Sequence, residues 1–212
     1  ATNNIELFGS LMSDDYKYFG GVLAPNGKIY CIPRNSSQVL CIDPETHTTE
    51  LFGDFQGEDK WFGGVLAPNG KIYCVPYSST KILCIDPETN TTQLFGDLQG
   101  TDKWFGGVLA PNGKIYCMPY RYKGILCINP EDDSTEIIYM DYIDNCCMGG
   151  VLAPNGKIYG IPCNTPQVIC VDPETHTIEF FDSSSPAFSK WCGGILAPNG
   201  KIYCIPRNSS QV

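Results

Sequence analysis

The chain has 212 residues and a net charge of −9, with 23 acidic and 14 basic side chains and no run of Lys or Arg. A surface of that sign repels nucleic acid and anionic lipid, which excludes both as partners. No stretch nears the roughly 18 apolar residues of a membrane-spanning helix, so membrane insertion is not expected. Twelve cysteines, together with sequons at Asn35, Asn90 and Asn208, point toward a secreted or extracellular protein. Ala1 is not followed by the basic region and apolar core of a signal peptide.

Residues 1–9 (ATNNIELFG) match Glu45–Gly53 (ETHTTELFG) and so read as the end of a repeating unit. From there LAPNGKIY recurs at Leu23, Leu66, Leu109, Leu152 and Leu196, each time behind a double glycine at 20, 63, 106, 149 and 193. Repeats spaced 43, 43, 43 and 44 residues apart mean an array, a solenoid or a propeller.

Within one unit, Gly21–Ala24 reads as a first short strand ending at Pro25-Asn26-Gly27, where Asn-Gly supplies the positive backbone angles of a tight hairpin. Lys28–Pro33 is a second strand, Gln38–Asp43 a third and Thr49–Phe52 a fourth. The Asp43-Pro44-Glu45-Thr46 link has type I turn chemistry, which accounts for the recurring Asp43, Asp86 and Asp172 and places His47 and His176 as solvated turn residues. Setting Cys31 opposite Cys41 leaves apolar residues on both faces, as a blade packed between two neighbours requires. The glycine pairs permit close approach of the innermost strands. Four antiparallel strands per unit make a β-propeller blade, and an open solenoid fits poorly because its coils are shorter.

Residues 1–212 are therefore expected to form one all-β domain, a five-bladed propeller. Its ring is closed by terminal segments sharing one blade, with residues 1–19 completing the blade that begins near 193. Ile205–Val212 repeats Ile32–Val39, yet the shared blade has no counterpart of Leu40–Pro44, and that open edge is a route to a homo-oligomer. The Gly-rich strand, the GKIY segment and the turn at Asp86–Thr91 resemble kelch and NHL-type repeats. The match departs from kelch in placing the double glycine before the first strand and in having Thr92 where a tryptophan is usual. The five-bladed architecture is similar to tachylectin-2-type lectins without sharing their motifs. Both resemblances imply fold only.

Chain direction puts the inter-blade loops and the loops between second and third strands on one face. Lys17-Tyr18, Lys60-Trp61, Lys103-Trp104 and Lys190-Trp191 recur there, with Arg34, Tyr77, Tyr120, Arg121 and Arg207 nearby. Aromatic rings beside polar donors suit a multivalent carbohydrate or glycoprotein binder; the alternative is a protein-interaction or structural scaffold propeller, and a propeller hydrolase or lyase comes third. Equally, each Trp can be core between blades, with the lysine before it a solvated rim charge. No nucleophile elbow, phosphate loop or zinc motif occurs, so no catalytic residue, cofactor or metal is expected. The opposed pairs Cys31/Cys41, Cys74/Cys84 and Cys117/Cys127 read as buried thiols in preference to strained disulfides. Cys146, Cys147, Cys163 and Cys192 fall on one face of adjacent blades, where a disulfide is the expected outcome over inert burial or a thiolate metal site.

Overall fold

The computed structural model describes residues 5–11, 15–140, 147–183 and 189–211. The first blade consists of β1 (Tyr18–Leu23), β2 (Ile29–Pro33), β3 (Val39–Asp43) and β4 (Thr48–Phe52). The second holds β5 (Trp61–Leu66), β6 (Ile72–Pro76), β7 (Ile82–Asp86) and β8 (Thr91–Phe95), and the third β9 (Trp104–Leu109), β10 (Ile115–Pro119), β11 (Gly124–Asn129) and β12 (Ser134–Tyr139). The fourth holds β13 (Cys147–Leu152), β14 (Ile158–Pro162), β15 (Gln167–Val171) and β16 (Ile178–Asp182), and a two-stranded sheet of β17 (Trp191–Leu196) and β18 (Ile202–Pro206) follows. Every pairing is antiparallel between sequence neighbours, giving four full propeller blades and the inner half of another.

The hairpin chemistry explains the sheet edges. In the first turn Pro25 sets the φ of a type I turn closed by Gly27 N–H donating to the Ala24 carbonyl, 3.0 Å, and only Gly27 takes a positive φ, of 80°. The loop is thus a three-residue turn with a glycine bulge, not the two-residue turn in which Asn also turns left-handed. In the other hairpin Asp43 Oδ1 accepts from Glu45 N and Thr46 N, and these bonds hold its carboxyl below its usual pKa.

The double glycine works as expected. Phe19 and Gly20 together oppose one residue of β2, a bulge with Gly20 at φ +78°. A Cβ on Gly106 would stand 3.2 Å from the Gly149 Cα, so successive inner strands touch backbone to backbone.

The register between second and third strands differs from expectation by one residue. Tyr30 faces Cys41 and Cys31 faces Leu40, with the same offset in the second and third blades. Ser36 closes the loop tightly, its hydroxyl accepting from Gln38 N and donating to Gln38 O, and continuing the register leaves an even number of loop residues. The one-residue slip sends the two cysteines in each of the first three blades to opposite faces, so they cannot bridge. Tyr30, Ile32, Val39 and Cys41 instead pack on Trp61, Ile72, Cys74, Leu83 and Ile85 of the next blade, and the arrangement repeats at the following two boundaries.

The described residues do not show the expected closing of the ring. Residues 5–11 are in no strand, with Ile5 and Leu7 95% and 94% exposed. They lie along the first blade, where Phe8 stacks on His47 at 5.4 Å and Glu6 sits 3.5 Å from His47. This copies the 3.5 Å contact of Glu136 with His176, so the segment lies against the first blade as the fourth strand of a preceding blade would, although the described residues show no pairing between it and β17 or β18. Ile195 (61%), Tyr203 (42%) and Ile205 (43%) leave the opposite end uncovered as well.

Candidate functional site: the loop face of the blades

The repeated Lys-Trp pairs lie inside the molecule. Trp61, Trp104 and Trp191 are buried, and each indole N–H donates to a backbone carbonyl twenty residues on, of Lys81, Gly124 and Gln211. Their rings fill the space under the loop face and are not free to stack on a ligand.

The lysines correct the expectation of solvated rim charges. Lys60, Lys103 and Lys190 are buried, with their ammonium groups turned back into the loops. Lys103 Nζ donates to the carbonyls of Ser79 (2.9 Å) and Gly100 (2.7 Å), and Lys60 Nζ to that of Gly57. Lys190 Nζ donates to the Thr165 carbonyl and the Ser183 hydroxyl. A buried cation needs such partners, and Lys103 and Lys190 thereby tie an inter-blade loop to the loop between second and third strands of the preceding blade. Burial lowers all three, Lys103 to about 8, which leaves it protonated at neutral pH.

A different aromatic set lies nearer the surface, half-buried except for the buried Phe62. The glycine bulge brings Phe19, Phe62 and Phe105 together, Phe19 stacking on Phe62 at 4.7 Å and meeting Phe105 edge-on at 5.2 Å. Tyr77 stacks on Phe62 at 4.2 Å, and Tyr120 lies 5.5 Å from Tyr77 and 6.1 Å from Phe105. Tyr77 and Tyr120 are half-buried, so part of each ring is open. Arg34 lies over Tyr16 and Phe62 and pairs with Asp59 at 2.6 Å. Arg121 lies beside Tyr120 and pairs with Asp102 at 3.1 Å. Burial and the neighbouring Asp102 push the Tyr77 hydroxyl well above its ordinary pKa.

Of the other expected residues, Tyr18 opens β1 of the first blade, with its hydroxyl 3.2 Å from that of Ser36. Arg207 is exposed on the last blade, away from the cluster. Sequence reasoning named Tyr77 and Tyr120 but missed Phe62 and Phe105. The signal was their invariant place one residue after Trp and one before the double glycine.

Cys146 lies outside the described residues, and no disulfide is seen among the described cysteines. Cys147 takes the tryptophan position of its blade and is buried against Gly160, where a Cβ would meet its sulfur at 2.8 Å. Cys163 is buried beside Asn164, whereas Cys192, in the position of Phe62, is exposed with its sulfur 3.8 Å from the Ile205 carbonyl. Trp to Cys147 and Cys to Gly160 remove volume that Met118, standing where Val75 does, partly refills. Among the described residues no group of His, Cys, Asp and Glu is arranged to hold a metal ion.

A second loop-face feature is a cleft of about 310 Å³ beside the second blade, with Phe55 and Trp61 at its base and Asp54, Glu58, Ser79 and Thr80 around it. In the third blade Tyr122 packs against Trp104 at 4.6 Å with the rings tilted by 44°, occupying the corresponding position.

No family model matches the sequence, and no curated protein matches it. Solved structures do resemble the fold. A catalytically inactive virginiamycin B lyase from Staphylococcus aureus superposes with a TM-score of 0.78 at 14% identity, over 92% of this chain and 65% of the lyase. A streptogramin B lyase gives 0.74 at 13%, over 94% and 73%. The extracellular domain of a hybrid two-component system from B. thetaiotaomicron gives 0.70 at 13%, over 89% of this chain and 26% of that one. At these identities the likeness is one of fold, that of a β-propeller. The chain spans about two-thirds of the first lyase's length, in keeping with uncovered faces at both ends of the blade series.

Proposed function

We propose that this chain is a non-enzymatic binding propeller whose loop-face aromatic cluster takes carbohydrate. The observation that supports this most directly is the juxtaposition of half-open Tyr77 and Tyr120 rings with two arginine–carboxylate pairs, Arg34–Asp59 and Arg121–Asp102. A sugar has an apolar face for the rings and hydroxyls that both donate to carboxylates and accept from guanidinium groups. The rigid blades hold these groups in place, so little ordering entropy is lost on binding. Partial exposure of the arginines favours weak single contacts that gain by multivalency. An extracellular location agrees with this reading, with the sequons and with the extracellular domain among the fold's relatives.

The second reading is a protein partner, favoured by the same surface being rich in Tyr, Phe and Arg, the residues that dominate protein interfaces. A glycan array probed with the protein at low and high concentration separates the two. Binding to one sugar class that weakens at least tenfold in Tyr120→Ala and Asp102→Asn, both with unchanged circular dichroism, supports the carbohydrate reading. A blank array at both concentrations overturns it.

A further inference from the structure

The loop between second and third strands differs between neighbouring blades so that one cleft is open and its twin is filled. Ser79 lies in the second blade where Tyr122 lies in the third, 43 residues on. In the third blade the Tyr122 ring packs against Trp104 at 4.6 Å and joins the core at that boundary. In the second blade the Ser79 hydroxyl closes its own loop, accepting from Lys81 N at 3.1 Å and donating to the Lys81 carbonyl at 2.9 Å. The cleft of about 310 Å³ beside Trp61 stands in the place of the ring.

The strand beneath bears the same mark. Leu94 of β8 lines the cleft and is 48% exposed, whereas Ile137, its counterpart in the third blade, is half-buried and packs on the same cluster as Tyr122. Phe55 does not stand in for the absent ring. It holds the position of Leu98, and each of the two belongs to the core at its own boundary, Phe55 with Trp61 and Leu98 with Trp104. The cleft walls divide by chemistry, with Phe55, Trp61 and Leu94 apolar and Asp54, Glu58 and Thr80 polar. An apolar base with a few polar groups at its edge suits a ring that carries a hydroxyl. The lining shares no residue with the cluster around Tyr77 and Tyr120, so this site is separate from the one proposed for sugar.

We propose that this cleft binds a p-hydroxyphenyl ring, carried by a tyrosine side chain of a partner polypeptide or by a free phenol. The ring takes the place beside Trp61 that Tyr122 takes beside Trp104, and its hydroxyl donates to the carboxylates at the edge. Covering the exposed part of Leu94 and the apolar faces of the ring provides the affinity. The walls belong to loops already tied down, through Ser79 to Lys81 and through the Trp61 indole to the Lys81 carbonyl, so little is ordered on binding. The third blade of the same molecule defines the occupant, since it shows which ring this position accepts.

The test follows the indole N–H signals of the three tryptophans in proton–nitrogen correlation spectra of the labelled 212-residue protein. The Trp61 indole donates to the Lys81 carbonyl at the cleft wall, so its signal reports on the site. Titration with p-cresol, and separately with the capped tripeptide Ala-Tyr-Ala, should shift the Trp61 signal saturably and leave that of Trp104 in place. A tripeptide that binds at least tenfold tighter than p-cresol identifies a polypeptide as the source of the ring, and one that binds no tighter identifies a free phenol. Ser79→Tyr should abolish the Trp61 response by supplying the ring from within, and Tyr122→Ser should make the Trp104 signal respond as well. Circular dichroism confirms that each variant is folded. A Trp61 signal that neither probe moves saturably up to its solubility limit overturns the proposal. So does a Trp61 shift that methyl glucoside produces equally, one that folded Ser79→Tyr retains, or a Trp104 signal that stays silent in folded Tyr122→Ser.

Discussion

Replacing Tyr73 and Tyr203 separately by Phe measures the latch that a blade's tyrosine forms on the turn between third and fourth strands of the following blade, because the two tyrosines occupy the same repeat position in different surroundings. The Tyr73 hydroxyl is buried and bonds Asp133 Oδ1 (2.8 Å) and Pro130 O (3.3 Å) across the boundary, while Asn69 donates to it. Phe keeps the ring packing, and Asn69 keeps its own bond to Pro130 at 2.8 Å. The loss therefore falls on Asp133, a carboxylate left without its donor. A bond to a charged group removed from one side costs about 2 kcal/mol. For a chain of this size that lowers the melting temperature by about 4–8 °C. The Tyr203 hydroxyl receives only the bond from Asn199 of its own hairpin, 2.9 Å, in a half-open setting, so Tyr203→Phe should change stability by less than about 0.5 kcal/mol. Parallel thermal and urea melts of the two variants give the comparison. Equal shifts, or a Tyr73→Phe shift as small as that of Tyr203→Phe, would refute the latch as a source of cohesion between blades.

Trp104→Ala should cost about 3–5 kcal/mol through the emptied core, and also strands the Gly124 carbonyl, so far-ultraviolet circular dichroism and melting should change together. A stable Trp104→Ala protein deficient only in ligand binding would contradict the core assignment. Burial raises the Tyr30 hydroxyl from an ordinary 10 to about 12 and raises Tyr73 and Tyr116 further. Because the folded values lie above the unfolded one, the stability these groups contribute is complete below pH 10 and is lost as pH climbs through 12. The part of the tyrosinate absorbance that Tyr30→Phe, Tyr73→Phe and Tyr116→Phe remove should accordingly rise together with the change in circular dichroism, and ionisation of these three near pH 10 in a folded chain would contradict it.

Strand positions, both hairpins of the unit and the axial role of the glycines were legible because they depend on local chemistry: Pro-Asn-Gly, Asp-Pro-Glu-Thr and a paired Gly without side chains. The partner of each face was not. Aligning Cys31 with Cys41 chose residue identity over loop length, and the Ser36 turn moved the register by one. The Lys-Trp pairs misled for a related reason. An aromatic in a surface loop suggests exposure, but the indole and ammonium groups find buried carbonyls contributed by neighbouring loops, which no window of sequence displays. His47 and His176 read as solvated turn residues because the latch that reaches His176 comes from a tyrosine sixty positions away. The closing segment was matched to the right strand type: Glu6 and Phe8 settle on His47 as a blade preceding the first would place them, while the described residues show no pairing of the segment with β18.

The register that sends Cys41 forward and Cys31 backward also makes every blade a part with two unlike sides, a plug in front and a socket behind. Cohesion then resides in the boundaries and couples only adjacent parts, so stability accumulates by nearest-neighbour terms and fraying starts at the ends. Duplicating one unit inserts a plug and a socket together and disturbs no existing boundary, which lets the array lengthen by simple gene duplication. The liability is interchangeability. A hairpin that fits one socket fits them all, so during folding the blades compete for one another's partners, and the divergent fourth blade, with Cys147, Gly160 and Met118 at its boundary, is where the array acquires a unique address.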